Sequence, residues 1–454
     1  MDQVVVIGGG PTGLWLAAEL RLGGASVTVL EAREERDPHS KALTIHPRTI
    51  ELLACRAIAD RFLAEGTPIP SGHFAGLDSR MDFGVLDTPY PFTLALPQAR
   101  TEELLEEHAL ALGVKVLRGE RVDGLVQHTD HVTVHGSSTV DAEYAVGCDG
   151  ARSTVRTAAG IEFPGTDATT WGWLGDVVLD DPPPRPVLSI TGVNGGLMVV
   201  ALPGGVHRFV GSDPGGNRTT WPGELSLDEL RATVTRIAGT DFGMRDPRWL
   251  SRFGNTTRQA AEYRKDRVLL AGDAAHVHFP TGGVGLNVGV QDAANLGWKL
   301  AAVVTGRAPE SLLDTYHDER HPVGADLLRA TRAQTALMTA YTPEVQALRS
   351  MLSDFIGSVP DFSRVLAERL SALDVAYPAE VNAHPLTGRR APDLRFADGT
   401  TLFGLLRDAR HVVVGIDSHD DAVVAGALAD PPGEWADVSG ALIRPDGHVA
   451  RATA

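Results

Sequence analysis

The first thirty residues combine two short apolar runs with one periodic segment. Residues 4–7 and 26–30 each have the length and apolar content of a buried strand. Residues 11–22 between them carry apolar side chains at a spacing compatible with a buried helix. Strand, glycine-rich turn, helix and strand in this order form a βαβ unit, and such units build parallel sheets with right-handed crossovers. The N-terminal pattern therefore predicts a Rossmann-like α/β domain.

The rest of the chain interrupts this pattern and resumes it twice. Helical periodicity returns over residues 101–112, and a buried strand is predicted at 267–271. Residues 163–263 instead show strands separated by Pro and Gly turns, which is typical of a half-exposed antiparallel sheet. We predict three units: a discontinuous α/β domain with C-terminal helices (residues 1–72, 98–162 and 265–377), a domain with an antiparallel sheet (73–97 and 163–264), and a small C-terminal α/β domain (386–454).

Composition narrows the class of protein. The chain has 454 residues, which is too many for one hydrophobic core, and a formal net charge of -17. So acidic a protein is expected to bind neither nucleic acid nor an anionic membrane. Its two cysteines, Cys55 and Cys148, offer no disulfide framework, and neither a signal peptide nor a membrane span is apparent. We expect a cytoplasmic protein that is a monomer or a homodimer.

The turn after the first strand has the sequence GGGPTG and fits the pattern G-x-G-x-x-G. Gly8 permits a tight turn, Gly10 lets the backbone approach a pyrophosphate, and Gly13 allows the helix to pack closely on the strand. Glu31 ends the second strand, where a carboxylate can accept hydrogen bonds from an adenosine ribose. A glycine-rich turn without a ligand is the competing interpretation, and Glu31 argues against it. The segment predicts a dinucleotide site.

Two further segments accompany this turn: CDGARSTVR at residues 148–156 and RVLLAGDAAHVHFPTGGVGLN at 267–287. In this order and separation, the three segments resemble the fingerprints of the class A flavoprotein aromatic hydroxylases, the para-hydroxybenzoate hydroxylase-like family. Four further segments resemble the subgroup that contains aromatic polyketide hydroxylases and rifampicin monooxygenases. They lie at residues 72–77, 97–105, 248–264 and 313–323. The resemblance extends from the first strand to the end of the chain.

This resemblance implies an enzyme and its cofactors. It implies an FAD-binding domain interleaved with a substrate domain, and a monooxygenase that uses NADPH or NADH and O2 to hydroxylate a polycyclic aromatic substrate of the polyketide or ansamycin type. In such enzymes a flavin C4a-hydroperoxide transfers the oxygen atom. The C-terminal unit resembles a thioredoxin-like domain, but residues 386–454 contain no cysteine, which excludes thiol redox chemistry there.

The resemblance also assigns roles to residues of the flavin segments. Asp273 is expected to bind the ribityl chain, and Pro280 to lie beside the isoalloxazine ring as the candidate catalytic residue. Leu286 and Asn287 are expected to offer backbone groups to the pyrimidine edge of the ring. Asp149 belongs to a segment that in the family serves both flavin and nicotinamide binding.

Other contacts implied by the resemblance surround the phosphates, the ribityl chain and the adenosine. They come from Thr12, Gln98 and the backbone of Val122. Lys41 departs from the family, which usually has Arg in the segment formed by residues 40–42. Lys lacks the planar fork that binds phosphate or flavin oxygens through two hydrogen bonds, but it still supplies a point charge.

Oxygen transfer from a flavin requires a cavity that excludes water. Apolar side chains of the predicted substrate domain and of the loop within residues 267–287, which we call the flavin loop, are candidates to line it: Phe74, Phe92, Trp173, Met198 and Phe279. Ordinary core packing is an equally good interpretation of each of them. No residue is marked by its sequence context as a general base.

Several alternatives stay open from the sequence. The same cofactor serves Baeyer–Villiger-type ring insertion and oxidative ring opening, and a flavoprotein can also bind a ligand without converting it. His276 and His278 have the spacing of a metal-binding pair, but two histidines without a third ligand are more often packing residues. Trp171 and Trp173 resemble the start of a flavin halogenase motif, whose Ile-Pro completion is absent here.

Overall fold

A computed structural model describes residues 2–415, 422–429 and 431–454 of the chain. Within those residues the helices are α1 (Pro11–Leu22), α2 (Pro47–Ala54), α3 (Ala59–Leu63), α4 (Gln98–Ala111), α5 (Thr154–Ala158), α6 (Leu227–Ala238), α7 (Gly285–Val304), α8 (Asp314–Thr339), α9 (Pro343–Ser358), α10 (Pro360–Ser371) and α11 (Leu402–Leu405).

The strands of the same residues are β1 (Asp2–Ile7), β2 (Val27–Glu31), β3 (Thr44–Ile45), β4 (Thr67–Ile69), β5 (Ser71–Gly72), β6 (Met81–Asp82), β7 (Thr93–Ala95), β8 (Lys115–Arg118), β9 (Val122–Gln127), β10 (Val132–Gly136), β11 (Thr139–Gly147), β12 (Gly165–Thr166), β13 (Trp171–Leu179), β14 (Val187–Gly192), β15 (Gly195–Ala201), β16 (Val206–Ser212), β17 (Met244–Gly254), β18 (Thr257–Gln259), β19 (Arg264–Lys265), β20 (Val268–Leu270), β21 (His276–Val277), β22 (Val412–Val414), β23 (Val423–Val424), β24 (Gly440–Ile443) and β25 (Val449–Thr453).

The predicted βαβ unit lies at the centre of the largest sheet. Its strands follow the order β19-β20-β11-β1-β2-β8, and β1 pairs in parallel with both β2 and β11. The apolar side chains of β1 are buried in a core shared with α1 and α7, as expected of a parallel sheet covered by helices. β10 and β9 extend this sheet by antiparallel pairing along the first half of β11. The predicted mixed α/β fold is confirmed.

The second sheet is antiparallel, with the order β14-β15-β16-β13-β17. α6 covers one of its faces, although the sequence predicts only strands in this region, so α6 corrects that prediction. The helix carries its own signals. The Ser226 hydroxyl accepts a hydrogen bond from the Glu229 amide at the N-terminus, and Gly239 ends the helix in the left-handed conformation (φ 80°).

Two smaller groups of elements complete the structure. α9 and α10 pack on the segment that contains β5 and β6, through a separate apolar core that includes Met81 and Phe83. After residue 386, β22 to β25 form a four-stranded sheet in the order β23-β22-β24-β25. The core of this C-terminal sheet also includes Cys55 at the end of α2, so it is continuous with the first domain. The exact borders of the three predicted units stay a prediction.

Crossing a bilayer needs a long apolar helix, and no helix within the described ranges has that combination of length and apolar character.

Candidate active site

The glycine-rich turn packs against the neighbouring strand with almost no spare space. Gly8 adopts φ +108°, and a Cβ atom there would lie 2.3 Å from the carbonyl oxygen of Cys148. A Cβ atom on Gly13 would lie 2.0 Å from the carbonyl oxygen of Gly8. At Gly10, by contrast, a Cβ atom would meet nothing within 4 Å. Gly8 and Gly13 are therefore required by the fold, whereas Gly10 borders open space at the N-terminus of α1.

Glu31 closes this turn from the end of β2. Its carboxylate accepts hydrogen bonds from the backbone amides of Gly9, at 2.7 Å, and Arg33, at 2.9 Å. The side chain is thereby held at the carboxyl end of the parallel strands, beside the glycine-rich turn. The expected hydrogen bonds to an adenosine ribose stay a prediction.

Thr12 lies where the starts of α1 and α7 meet the loop that follows β20. Cβ atoms built on Gly272 and Gly289 would lie 2.8 and 2.4 Å from the Thr12 hydroxyl oxygen. The first turn of α1, the loop after β20 and the second turn of α7 therefore come together at this hydroxyl. Glycine at both positions allows the approach.

A buried ion pair that the sequence does not predict anchors the loop that carries Asp273. Asp292 of α7 accepts hydrogen bonds from the Gly272 amide at 3.1 Å, from His276 Nε2 at 2.8 Å and from Arg320 Nε at 2.7 Å. Burial would by itself raise the pKa of Asp292, but the charges of Arg320 and His276 hold that pKa below its ordinary value. The carboxylate thus stays ionised and fixes the loop.

Asp273 itself lies on the exposed side of this loop, toward the N-terminus of α7. A Cβ atom on Gly285 would lie 3.3 Å from His278 Nε2 and 4.0 Å from an Asp273 carboxylate oxygen. His278 turns its Nδ1 to the Phe279 carbonyl oxygen, at 2.7 Å. Burial lowers the pKa of His278, which favours the neutral imidazole.

Pro280, Leu286 and Asn287 lie on either side of a glycine turn that leads into α7. Pro280 is exposed, and Leu286 is half-buried against the main core. The Asn287 side chain is fully committed: its Oδ1 accepts the His46 amide at 2.8 Å, and its Nδ2 donates to the carbonyl oxygens of Thr44, at 3.2 Å, and Gly283, at 2.9 Å. The side chain of Asn287 is thus engaged within the protein, and the backbone contact with the pyrimidine edge that the resemblance implies stays a prediction.

Asp149 has one engaged and one unpartnered oxygen. Its Oδ2 accepts a hydrogen bond from the Val155 amide at 3.1 Å, while its buried Oδ1 has no hydrogen-bond partner among the described residues. Arg156 ties this segment to the flavin loop, because it donates to the carbonyl oxygen of Ala274 at 2.8 Å and to that of Ala151 at 3.1 Å. The structure therefore brings together residues 148–156 and 267–287, two of the three segments that resemble flavin fingerprints.

The segment that contains Lys41 lies against the start of α4. Gln98 joins the two. Its side-chain Oε1 accepts a hydrogen bond from the Ala42 backbone amide at 2.9 Å, and its backbone amide donates to the Ala42 carbonyl oxygen at 3.0 Å. The Lys41 side chain is exposed, and Val122 begins β9 at a distance in sequence from both. The flavin contacts assigned to these three residues stay predictions.

Two aromatic residues link the flavin loop to the antiparallel sheet. The ring centroids of Phe279 and Phe253 are 5.1 Å apart. Phe253 pairs with Gly172, and a Cβ atom on that glycine would lie 2.5 Å from the Phe253 ring, so the ring covers the glycine. Met198 pairs with Val210, and the strand register puts both on the same face as Phe253. We call Phe253 and Phe279 the aromatic wall.

Trp173 is not a cavity residue, which corrects the sequence prediction. Its side chain lies on the opposite face of the sheet, buried against Leu197, Phe209 and Leu230 in the core beneath α6. The reason is the alternation of side chains along β13, since Gly172 faces the aromatic wall and its neighbour must face away.

The other two aromatic candidates lie outside the antiparallel sheet. Phe74 packs against the core under α9 and α10, and Phe92 packs against the core of the α/β domain, with its ring 6.3 Å from that of Tyr90. Neither side chain has a described contact with the aromatic wall. Their role in substrate binding stays a prediction.

Polar side chains that the sequence does not reveal surround the glycine turn of the flavin loop. Nδ1 of His46 lies 2.7 Å from the Leu370 carbonyl oxygen of α10, and burial lowers the pKa of His46. Gln334 of α8 accepts the Ala75 amide at 3.1 Å, and a Cβ atom on Gly282 would lie 3.9 Å from the same oxygen. The two hydrogen bonds join residues more than two hundred positions apart, which no local pattern signals.

The residues of this site fit FAD on three observations. Gly10 borders open space at the start of α1, where a pyrophosphate would bind. α7 begins without a side-chain cap, so the first amides of a 20-residue helix can donate to a ligand. The buried Asp149 oxygen without a partner can accept a hydrogen bond from a bound ligand.

The fold and site define a class, and comparison with known proteins agrees. Residues 1–331 match the family model of the FAD binding domain. The chain belongs to this family and, within it, to the FAD-dependent aromatic hydroxylases that include aromatic polyketide hydroxylases and rifampicin monooxygenases. The resemblance found in the sequence is confirmed.

Individual relatives cover nearly the whole chain. It is 48% identical to an "uncharacterized aromatic compound monooxygenase YhjG" of Bacillus subtilis, over 99% of this chain and 93% of that protein. It is 45% identical to a rifampicin monooxygenase of Streptomyces venezuelae, over 99% and 95%. The solved structure of the anhydrotetracycline hydroxylase OxyS from Streptomyces rimosus superposes with a TM-score of 0.91, at 42% identity, over 100% of this chain and 96% of that one.

Proposed function

We propose that this FAD-dependent monooxygenase hydroxylates a polycyclic aromatic compound, with NADPH or NADH as reductant and O2 as the source of oxygen. The observation that carries the proposal is the aromatic wall. Phe279 immediately precedes Pro280 of the flavin loop and packs on Phe253 of the antiparallel sheet. Two adjoining aromatic rings thus connect the flavin loop to the sheet, and such rings suit contact with a flat multi-ring substrate. Relatives named for rifampicin and anhydrotetracycline support this substrate class.

When bound, FAD supplies the reduction of O2 and the transfer of one oxygen atom, so the chain's task is to bind, orient and exclude water. Asp273 would accept hydrogen bonds from the ribityl hydroxyls. The first amides of α7 would donate to the pyrimidine edge, where the positive end of the helix dipole favours negative charge. The aromatic wall and Met198 would keep water from the reacting atoms.

The reductant is proposed to bind beside Lys41. A cavity of about 570 Å³ lies between the segment that precedes Lys41 and the antiparallel sheet. Its lining carries four arginines and three carboxylates: Arg36, Arg100, Arg208, Arg248, Asp37, Glu103 and Asp176. Among these arginines, Arg248 makes no ion pair within the described residues, whereas the others are paired with carboxylates. Guanidinium groups bind phosphate oxygens through paired hydrogen bonds. We therefore propose that Arg248 is the residue of this lining that binds a phosphate of NADPH or NADH.

Arg208 connects the cavity to the Lys41 segment. It binds both carboxylate oxygens of Asp176 at 2.7 Å and also donates a hydrogen bond to the Ser40 carbonyl. Because Ser40 precedes Lys41, the position of the Lys41 backbone depends on this buried ion pair. We propose that Arg208 orients the segment where reductant and flavin meet.

An assay of NADPH and NADH oxidation tests the proposal. Purified protein is incubated with each member of a panel of polycyclic phenols and ansamycins. Substrate-dependent oxidation together with a product heavier by one oxygen atom on an intact aromatic ring is the expected result. Expansion or opening of a ring would favour Baeyer–Villiger-type or ring-opening chemistry. Tight binding of a panel member without any oxidation of reductant would indicate a flavoprotein that only binds its ligand.

A further inference from the structure

A buried cluster of charged side chains joins the C-terminal sheet to the FAD-binding domain. Arg444, on the turn after β24, donates two hydrogen bonds to Glu319 of α8, at 2.8 and 2.9 Å. The same carboxylate accepts hydrogen bonds from Lys299, at 2.7 Å, and Asn295, at 2.6 Å, both on α7. Arg444 therefore joins the C-terminal sheet to two long helices of the FAD-binding domain.

Electrostatics make this cluster a single unit. Burial lowers the pKa of Lys299 to about 7, and the charge of Arg444 also lowers it. Burial would raise the pKa of Glu319, but Arg444 and Lys299 hold that pKa below its ordinary value. Arg444 also donates to Asp446, at 3.1 Å from Nε, so two cations balance two carboxylates in the cluster. Removal of Arg444 leaves Glu319 with Lys299 but leaves one buried negative charge uncompensated, which is strongly destabilising locally. Loss of the Arg444 guanidinium should therefore let α8 shift.

The next residue of α8 leads to the flavin loop. Arg320 donates to Asp292 at 2.7 Å, and Asp292 holds the Gly272 amide at 3.1 Å. Gly272 directly precedes Asp273. A displacement of α8 thus acts on the backbone that presents the ribityl-binding carboxylate.

Tyr377 couples the two arginines more directly. Its hydroxyl lies 3.4 Å from Arg320 Nη1, and the centre of its ring lies 4.9 Å from Arg444 Cζ. His448 of the C-terminal sheet lies against the ring, with centroids 4.2 Å apart. Tyr377 therefore contacts the flavin side and the C-terminal side of the cluster at once.

We propose that Arg444 is a positioning residue for FAD: the docked C-terminal sheet holds α8, and through Arg320 and Asp292 it fixes the loop that carries Asp273. The inference rests on the role given to Asp273 above. It assigns the C-terminal sheet a part in flavin binding through its contacts with α7 and α8.

Titration of the full chain, freed of flavin, with FAD tests the proposal. Arg444→Met keeps most of the side-chain volume but loses the guanidinium, and it should weaken FAD affinity about tenfold, within the range of coupling between distant sites. Arg390→Met is the matched control. Arg390 also joins the C-terminal region to the first domain, through Glu51 at 2.9 Å and the Asp87 carbonyl oxygen at 2.6 Å, and not through α7 or α8. This control should bind FAD like the wild type.

Coupling is reciprocal, which provides a second readout. FAD should increase the hydrogen-exchange protection of β24 and β25 in the wild type, and this measurement decides the question if Arg444→Met does not fold. Wild-type FAD affinity in Arg444→Met, an equal loss in Arg390→Met, or no FAD-dependent protection of these strands would overturn the proposal. A wild-type chain that binds no FAD at all would instead overturn the proposed function.

Discussion

Asp273 is the residue of the flavin loop whose contribution can be isolated most cleanly. Asp292 fixes the preceding amide, so Asp273→Ala should remove the carboxylate without unfolding the loop. We expect FAD affinity to fall by about ten- to a hundredfold, because a hydrogen bond to a charged acceptor contributes about 1.5–3 kcal/mol. Titration with FAD measures the change, and Asp318→Ala, at an exposed carboxylate of α8, is the control. Equal affinity in both variants would remove Asp273 from the site.

Met198 tests the cavity face of the antiparallel sheet. Met198→Glu should admit water and add an unpaired charge on the sheet face that carries Phe253, which uncouples oxygen transfer from reductant consumption. We expect more hydrogen peroxide per NAD(P)H consumed, with Met198→Leu close to the wild type. Peroxide assays during turnover measure this ratio. Wild-type coupling in Met198→Glu would show that substrate binds elsewhere.

The two predictions for Met198 and Trp173 show how far single residues can be derived from sequence. Both are apolar residues of predicted strands, and composition treats them alike. Only the register of β13, β15 and β16 separates them, because it sends Trp173 beneath α6 and Met198 to the other face. Register depends on long-range pairing, which a local pattern does not contain.

At the scale of elements, the turn between β1 and α1 separates residues required by the ligand from residues required by the fold. Gly10→Ala adds a methyl group where no protein atom lies within 4 Å, so the flavin-free protein should lose no more than the cost of Ala at the N-cap of α1, about 1 kcal/mol. FAD affinity should nevertheless drop sharply, since the methyl group occupies the space of the pyrophosphate.

Gly13→Ala is the opposite case. Its methyl group would lie 2.0 Å from the Gly8 carbonyl oxygen, so the flavin-free protein itself should lose about 1–3 kcal/mol of stability or more. Thermal unfolding and FAD titration of both variants distinguish the two roles. Gly10→Ala with wild-type FAD affinity would mean that the pyrophosphate does not approach α1.

Secondary-structure elements differ in how well they can be predicted from the local sequence. β1, α1 and β2 are predictable because each is buried along its whole length and bounded by glycine. α6 was detectable from its Ser226–Glu229 capping box and Gly239, but the surrounding strand pattern concealed it. The thioredoxin-like character of the C-terminal sheet stays a prediction.

At the scale of the whole molecule, docking of the C-terminal sheet should depend on pH. Burial lowers the pKa of His448 to about 4, against about 6.5 for an unfolded histidine. The unfolded chain therefore binds more protons between these values, and stability is lost as the pH falls from about 6.5 to 4, by up to about 3 kcal/mol. Urea unfolding of the wild type and of His448→Phe across this range measures the effect. Identical pH dependence in the two proteins would show that His448 does not cause it.

Whole-molecule assembly is the part that sequence reasoning predicts least. The flavin segments are recognisable because glycines and acidic residues recur at fixed spacing. The groups that hold them together are single residues far apart: Asn287 with His46, Arg320 with Asp292, and Arg444 with Glu319. Each is an ordinary polar residue on a helix or loop until the fold buries it with its partner.

Turnover under 18O2 tests the central claim most directly. The assay contains FAD, NADPH or NADH, and a polycyclic aromatic substrate that was identified by its stimulation of reductant oxidation. Under 18O2 the product should carry one 18O atom. When the label is supplied as water instead, the product should carry none. Formation of product without the label, or at the same rate without reductant, would contradict the account of this protein as an aromatic hydroxylase.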